Sequence, residues 1–328
     1  MTELNLTSNK LHDLLFEDES GESVFCRELL VASDNELWIG AESGLYIYNL
    51  RLGKYVHLRS SINDPYSLSD NAIYSLCKDR EGGIWIGSYF GGINYYPRFY
   101  TNFEKYYPKG IENGLHGKRV REFCQDNQGI LWIGTEDGGL NRFNPKTKTF
   151  SFFTPSNAFT NVHGLCLVDD NLWVGTFSKG VKVVDTRTGA IVKTYQKTDS
   201  PRSLIDNSVF SICRTTTGDI YLGTRDGKVY VYDAVLSCLK DKAVYGKNIY
   251  ALCEDSTGVL WLGSRGDGLY AGDKKYTYRV DDVNSLAANE VFCMLRDSKG
   301  RMWIGTFGGG LDLAEPDGQG GYKFRHFL

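Results

Sequence analysis

Five histidines, eight cysteines and a scatter of arginines and carboxylates are the residues with which this 328-residue chain could do chemistry. His12, His57, His116, His163 and His326 stand in no H-E-x-x-H pattern, and the chain has no G-x-S-x-G and no phosphate-cradling P-loop. A lone histidine or carboxylate can serve as a general base, but none here has a partner recognisable in the sequence, so no catalytic residue is assigned. The cysteines form no C-x-x-C pair and histidines are sparse, so no metal or other cofactor is expected. Four D-x-x-G turns start at Asp79, Asp126, Asp255 and Asp297. A calcium loop needs several oxygens at alternating positions, and these turns offer one or two, so each reads as an Asp-capped turn with glycine in the left-handed position.

Residues suited to binding are more numerous and fall into two sets. The first comprises Arg27, Tyr74, Arg121, His163, Phe210, Tyr250 and Phe292, each second in a short apolar segment (CRELL, IYSLC, VREFC, VHGLC, VFSIC, IYALC, VFCML). The second follows a glycine and a small residue: Tyr89 and Phe90, Glu136 and Asp137, Phe177 and Lys179, Arg225 and Asp226, Arg265 and Asp267, and Phe307. Aromatic faces interleaved with guanidinium and carboxylate groups suit a polar ligand with apolar patches, such as a sugar. Arg27, Arg121, Arg225, Arg265 and Lys179 would favour an acidic sugar, while Glu136, Asp137, Asp226 and Asp267 counter that charge.

The elements that must hold these residues repeat along the chain. LWIGTEDGGLNRF, from Leu131 to Phe143, reads as strand, glycine-rich turn and strand, and its aromatic-apolar-glycine centre recurs at Trp38, Trp85, Trp132, Trp173, Tyr221, Trp261 and Trp303. A spacing of 40 to 48 residues filled by short strands is the period of a four-stranded propeller blade. The expected fold is therefore all-β, a seven-bladed β-propeller of four-stranded antiparallel blades. It forms one domain over 1–328, with blades near 23–62, 63–107, 108–155, 156–198, 199–242, 243–280 and 281–328. Residues 1–22 are an N-terminal extension or a closing strand over Leu11 to Phe16. The terminal YKFRHFL already reads as an outer strand, so ring closure is open between a strand swap and a simple A-to-D blade.

Each glycine after the aromatic (Gly40, Gly87, Gly134, Gly175, Gly223, Gly263, Gly305) is followed by Ala, Ser or Thr, as expected where blades approach closely. A second glycine (Gly44, Gly92, Gly139, Gly180, Gly268, Gly310) suits a tight turn with positive φ, and Lys228 breaks this pattern in the fifth copy. Strand A is the segment that carries the first binding set. Cys77, Cys124, Cys166, Cys213 and Cys253 share one register in it, with Cys26 and Cys293 on the same face, so these seven are expected as buried, reduced thiols between blades. Cys238 falls in or near strand D of the fifth blade. The first binding set either rings a wet channel or packs as core: Phe210 and Phe292 suit core, whereas Arg27, Arg121 and His163 suit water. Glu28 and Glu122 follow arginines and point the other way by strand alternation. With net charge −3 and a pI near 6.0, the chain has no electrostatic footprint for nucleic acid. No apolar run is long enough to span or insert into a membrane, and MTELNLTSNK lacks the pattern of a secretory signal.

The units NDPYSLSDNAIYSLCKDREGGIWIGSYFGGINYY and VREFCQDNQGILWIGTEDGGLNRFNPKTKTF resemble the two-component regulator propeller repeat, and the likeness extends over residues 23–328. The resemblance implies a sensor region of a hybrid two-component regulator of the kind common in gut Bacteroides. Such a region lies in the periplasm, binds glycan-derived oligosaccharides and passes the signal to a histidine kinase. It further implies a partner in the form of a second propeller or a homodimer mate. Two alternatives accompany it: a protein-protein interaction scaffold, and a propeller lyase similar to streptogramin lyases, which would cast His163 or His116 as the catalytic histidine.

Overall fold

The computed structural model describes residues 2–5, 10–13, 17, 21, 23–62, 64, 66–98, 104–108, 113–152, 156–200, 202–246 and 248–327. The chain divides into two compact units, Met1–Lys105 and Tyr106–Leu328.

The first unit opens with an antiparallel hairpin of Thr2–Asn5 and Lys10–Asp13. The strand expected over Leu11 to Phe16 thus begins as the second arm of this hairpin, and residues 14–16 lie outside the described residues. Blade 1 follows with strands Cys26–Ser33, Glu36–Ala41, Gly44–Asn49 and Lys54–Leu58. Blade 2 has Ile73–Lys78, Ile84–Ser88 and Ile93–Tyr96, three strands among the described residues.

The second unit holds five four-stranded sheets. Blade 3 comprises Val120–Gln125, Leu131–Thr135, Gly139–Asn144 and Thr149–Phe152. After a 3-10 turn at Ser156–Phe159, blade 4 runs through Val162–Val168, Asn171–Thr176, Val181–Asp185 and Ile191–Tyr195. Blade 5 has Val209–Arg214, Ile220–Thr224, Lys228–Asp233 and Cys238–Val244. Blade 6 has Ile249–Glu254, Leu260–Ser264, Leu269–Ala271 and Lys274–Tyr276. Blade 7 has Val291–Arg296, Met302–Thr306, Gly310–Pro316 and its own outer strand Tyr322–Phe327. In six blades strands A to D, and in blade 2 the three described strands, pair antiparallel in chain order, so the fold class is all-β, a propeller of seven blades.

Alternation along each strand sends one face of a blade into the next. In the first unit Trp38 and Leu45 of blade 1 pack with Ile73, Ile84 and Ile86 of blade 2. In the second, Trp132 and Leu140 meet Val162, Leu172 and Val174, and the same arrangement joins Trp173 to Val209 and Leu222, and Trp261 to Val291 and Ile304. The glycine after each aromatic sits where the next blade begins. A Cβ on Gly40 would lie 2.8 Å from Ile73 Cγ2, on Gly134 2.5 Å from Val162 Cγ1, and on Gly263 2.5 Å from Val291 Cγ1. Backbone on one side and a β-branched side chain on the other leave nowhere to move. Gly134→Ala is therefore expected to lose about 1–3 kcal/mol in urea unfolding, the usual cost of overpacking.

The small residue after that glycine has a further role that its size alone does not reveal. In all six copies that carry a hydroxyl there, it donates to the carbonyl four residues on: Ser88 to Gly92, Thr135 to Gly139, Thr176 to Gly180, Thr224 to Lys228, Ser264 to Gly268 and Thr306 to Gly310, at 2.9 to 3.1 Å. The hydroxyl closes the B-to-C turn. Gly44, Gly92, Gly139, Gly180, Gly268 and Gly310 all take positive φ, and in the fifth copy Gly227 takes it instead, one residue before Lys228.

In the D-x-x-G turns, Asp126 Oδ1 accepts the backbone N–H groups of Gln128 and Ile130, and Gly129 is left-handed. The second carboxylate oxygen reaches farther. It accepts the indole N–H six residues on, at 3.1 Å for Asp79 and Trp85, 2.8 Å for Asp126 and Trp132, 2.9 Å for Asp255 and Trp261, and 3.0 Å for Asp297 and Trp303.

The cysteines keep the expected register: Cys77, Cys124, Cys166, Cys213 and Cys253 each lie opposite the aromatic of strand B. All eight are free thiols, but the expectation of burial is corrected for Cys77 and Cys293, which are exposed, while the other six are half-buried. Cys77 belongs to blade 2 and Cys293 to blade 7, the last blades of their units, with no following sheet inside the unit to cover them. Trp85 is exposed for the same reason, whereas Trp38, Trp132, Trp173 and Trp261 are buried.

Candidate functional site

Each strand A carries a β-bulge, and the extra residue is the second of the strand: Arg27, Tyr74, Arg121, His163, Phe210, Tyr250 and Phe292. A bulge leaves its residue outside the ladder and re-aims the side chain, so the entire first binding set is displaced from regular alternation. The B-to-C turns are fastened beside it. The backbone N–H of the first turn residue donates to the carbonyl two residues before the bulge in every blade: Glu42 to Phe25, Tyr89 to Ala72, Glu136 to Arg119, Phe177 to Asn161, Arg225 to Ser208, Arg265 to Asn248 and Phe307 to Glu290. Each bulged residue is thereby presented next to the opening residue of its own blade's turn.

In the first unit, Arg27 Nε donates to Glu42 Oε1 at 2.8 Å, and the Arg27 guanidinium lies 4.8 Å over the ring of Tyr74. The Tyr74 hydroxyl donates to the same Glu42 oxygen, and its ring stacks on Tyr89 at 4.8 Å. Phe90 packs edge-on against Tyr89 and stands almost fully in solvent.

The second unit repeats the arrangement over five blades. Arg121 Nη1 donates to Glu136 Oε1 at 3.0 Å. His163, Phe210, Tyr250 and Phe292 form a continuous series of ring contacts across four blades, with centroids 4.9, 4.9 and 4.7 Å apart. His163 and Phe210 are buried at 7% and 4% exposure, Tyr250 is half-buried and Phe292 is exposed. Both readings of the ring therefore hold in part: it is core at one end of this series and open at the other. Phe177 adjoins His163 and Phe210, and Phe307 adjoins Phe292.

Beside Phe177 the turns and the D-to-A loop form a shallow, open cleft of about 520 Å³, lined by Phe177, Ser178, Lys197, Ile205, Asp206, Asn207, Ser208, Arg225 and Asp226. The Arg225 guanidinium sits 5.7 Å over the Phe177 ring, and its Nε lies 3.3 Å from Asp206. The other arginines are paired likewise, Arg265 with Glu290 at 3.9 Å. Several expected site residues are instead occupied in holding turns. Asp137 accepts the backbone N–H groups of Lys118 and Arg119, Asp226 accepts the Thr224 hydroxyl, and Asp267 is engaged by Tyr270 and Lys275. Lys179 is exposed on its turn.

A smaller cavity of about 160 Å³ is lined by His163, Phe210, Tyr250 and Phe292 together with Glu122. His163 Nε2 lies 2.8 Å from Asn161 Oδ1; with Nε2–H donating there, Nδ1 is left a buried acceptor with no partner among the described residues. Burial, aided by the Arg121 charge and opposed by Glu136, holds the His163 imidazole down to about 4, so the ring is neutral at pH 7. Burial pushes Glu122 up to about 7, against a smaller opposite pull from Arg121. Neither His163 nor His116, which stacks on Phe152, is hydrogen-bonded to a carboxylate among the described residues.

Sequence reasoning missed Glu42, Asp206 and Glu122. Glu42 was legible, since it follows Ala41 as Glu136 follows Thr135. Asp206 was legible too, since the S-L-x-D-N stretch before strand A recurs with Asp70 in blade 2 and Asp206 in blade 5. Glu122 was read onto the opposite face because strict alternation was assumed, and the bulge at Arg121 breaks it.

Comparison with known proteins returns a family and a set of folds. The sequence profile of the two component regulator propeller matches residues 67–90, 114–137, 246–266 and 285–308. No curated protein sequence matches the chain. Among solved structures, the chain is similar to the extracellular domain of BT3049 from B. thetaiotaomicron, assigned as a hybrid two component system. The two are 21% identical with a TM-score of 0.52, over 99% of this chain and 48% of that one. It is also similar to the extracellular domain of BT4673 from B. thetaiotaomicron, at 17% identity and a TM-score of 0.49, over 99% of this chain and 51% of that one. The chain spans about half the length of these structures.

Proposed function

Because this chain carries two-component regulator propeller repeats, we propose that it is the ligand-sensing propeller of a two-component regulatory system. In this reading the protein is periplasmic, its ligand is a glycan-derived oligosaccharide, and the transmitting parts of the system lie beyond this chain. A second propeller or a second copy would be its partner. The observation that carries the reading is the cleft beside Phe177, where an aromatic face, a guanidinium, two carboxylates and an amide converge on a volume suited to a small ligand. Since Arg27, Arg121, Arg225 and Arg265 each face a carboxylate, a neutral oligosaccharide fits this surface better than an acidic one.

The test is a thermal-shift screen of the chain against neutral and acidic oligosaccharides, because a ligand bound only by the folded state raises the midpoint. A saturable rise with a neutral oligosaccharide is expected, with affinity about tenfold weaker in Phe177→Ala, a loss of roughly 1.4 kcal/mol. A rise unaffected by Phe177→Ala and Arg225→Ala places the ligand elsewhere. A flat screen of well-folded protein rejects the reading. A protein-binding face is the second reading, favoured by the exposure of Tyr89 and Phe90 in the first unit. Capture of a defined partner without sugar, lost in Phe90→Ala, would select it.

A further inference from the structure

Trp38 is the one indole whose buried N–H has no hydrogen-bond partner among the described residues. In four other copies that donor is met by the aspartate six residues earlier. In the first copy Ala32 stands at that position, and no acceptor among the described residues replaces the lost carboxylate. The fourth and fifth copies also lack the aspartate, having Leu167 before Trp173 and Thr215 before Tyr221, yet neither leaves a buried donor unpartnered. The first copy alone combines the missing acceptor with a stranded donor.

A cavity of about 510 Å³ opens between blades 1 and 2, and Ala32, Trp38, Lys78, Arg80, Tyr96 and Arg98 are among its lining residues. It lies at the far ends of the A strands from Arg27 and Tyr74, so it is separate from the bulged face of this unit. Three of its side chains are basic and two, Glu36 and Asp79, are acidic. Asp79 is already committed: Oδ1 accepts the N–H groups of Glu81 and Gly83, and Oδ2 accepts the Trp85 indole. Lys78 Nζ donates to the carbonyl of Ala32 at 2.5 Å, leaving two further N–H groups for another acceptor. Glu36 and Arg80 are exposed.

We propose that this cavity binds a small ligand through an oxyanion. One oxygen accepts the Trp38 indole N–H, in the place that aspartate fills elsewhere, and Lys78 and Arg80 balance the charge. A carboxylate, sulfate or phosphate group satisfies these donors, and the volume admits a ligand of about disaccharide size.

The test reads the indole N–H resonances of the ¹⁵N-labelled chain, with Trp38 assigned by loss of its peak in Trp38→Phe. Sodium glucuronate and sodium sulfate are titrated separately at constant ionic strength, with glucose and sodium chloride as controls. The Trp38 resonance is expected to move saturably with glucuronate, with sulfate or with both, and with neither control. Response to glucuronate alone identifies a carboxylate site, and response to sulfate alone a tetrahedral oxyanion site. Affinity is expected to fall at least tenfold in Arg80→Ala, an exposed position whose loss leaves the fold intact, and in Lys78→Ala. Three results overturn the proposal: a Trp38 resonance that stays still in folded protein, one that moves equally with the controls, or a shift that Arg80→Ala and Lys78→Ala leave unchanged.

Discussion

Glu122→Gln is expected to stabilise this chain by about 3 kcal/mol at pH 8 and by almost nothing at pH 4. The glutamate ionises at 4.5 under ordinary conditions, and burial raises that to about 7 in the folded state. Below pH 4.5 the carboxyl is protonated whether folded or not, so glutamine and glutamate are equivalent. As pH rises through that value the unfolded chain loses the proton first, and the wild type is progressively destabilised until the folded carboxyl also ionises near 7. Above that the full penalty is present, at about 1.4 kcal/mol for each factor of ten by which folding weakens the acid. Urea midpoints of the two proteins measured side by side from pH 4 to pH 8 give the difference. A gap that does not grow with pH would mean that Glu122 is ionised and solvated in its cavity.

Asp126→Ala is expected to cost about 3 kcal/mol, because it strands three donors at once and one of them has no access to water. Asp126 accepts from Gln128, Ile130 and the Trp132 indole, and Trp132 is fully buried. The same substitution at Asp79 is expected to cost under about 1 kcal/mol, since solvent replaces the carboxylate where the indole is exposed. Trp85 supplies that contrast, at 44% exposure. Urea unfolding of both variants decides the point. Equal losses would show that the turn bonds, and not the indole, carry the effect.

The blade count, the strand order and the aspartate turns were legible because they depend on residues that have few substitutes. Only glycine tolerates Val162 at the Gly134 position, and only glycine takes the φ of 76° at Gly139 without strain. The bulges were not legible. They occur at Arg, Tyr, His and Phe alike, because a bulge is a backbone event set by ladder register, with no preference for a side chain. That gap explains why the second residue of each strand A could be assigned to the ring while Glu122 beside it was turned the wrong way. Cys77 and Cys293 show a different limit: their register was right, but burial depends on whether a sheet follows, and register carries no such information. The pairing of Arg27 with Glu42 and of Arg121 with Glu136 was available from spacing, since both pairs are fifteen residues apart.

That pairing within one blade makes each hairpin a self-contained cassette. The bulged residue and the turn residue that faces it come from the same blade, tied by one backbone hydrogen bond found in all seven. The glycine and hydroxyl that shape the turn lie outside the pair. Recognition on this scaffold can therefore be rewritten one blade at a time: moving the arginine–glutamate pair into the positions of Tyr250 and Arg265 changes two side chains and leaves blade 6 its frame. A surface assembled from interchangeable two-residue units explores new ligands by recombination of blades as readily as by point substitution.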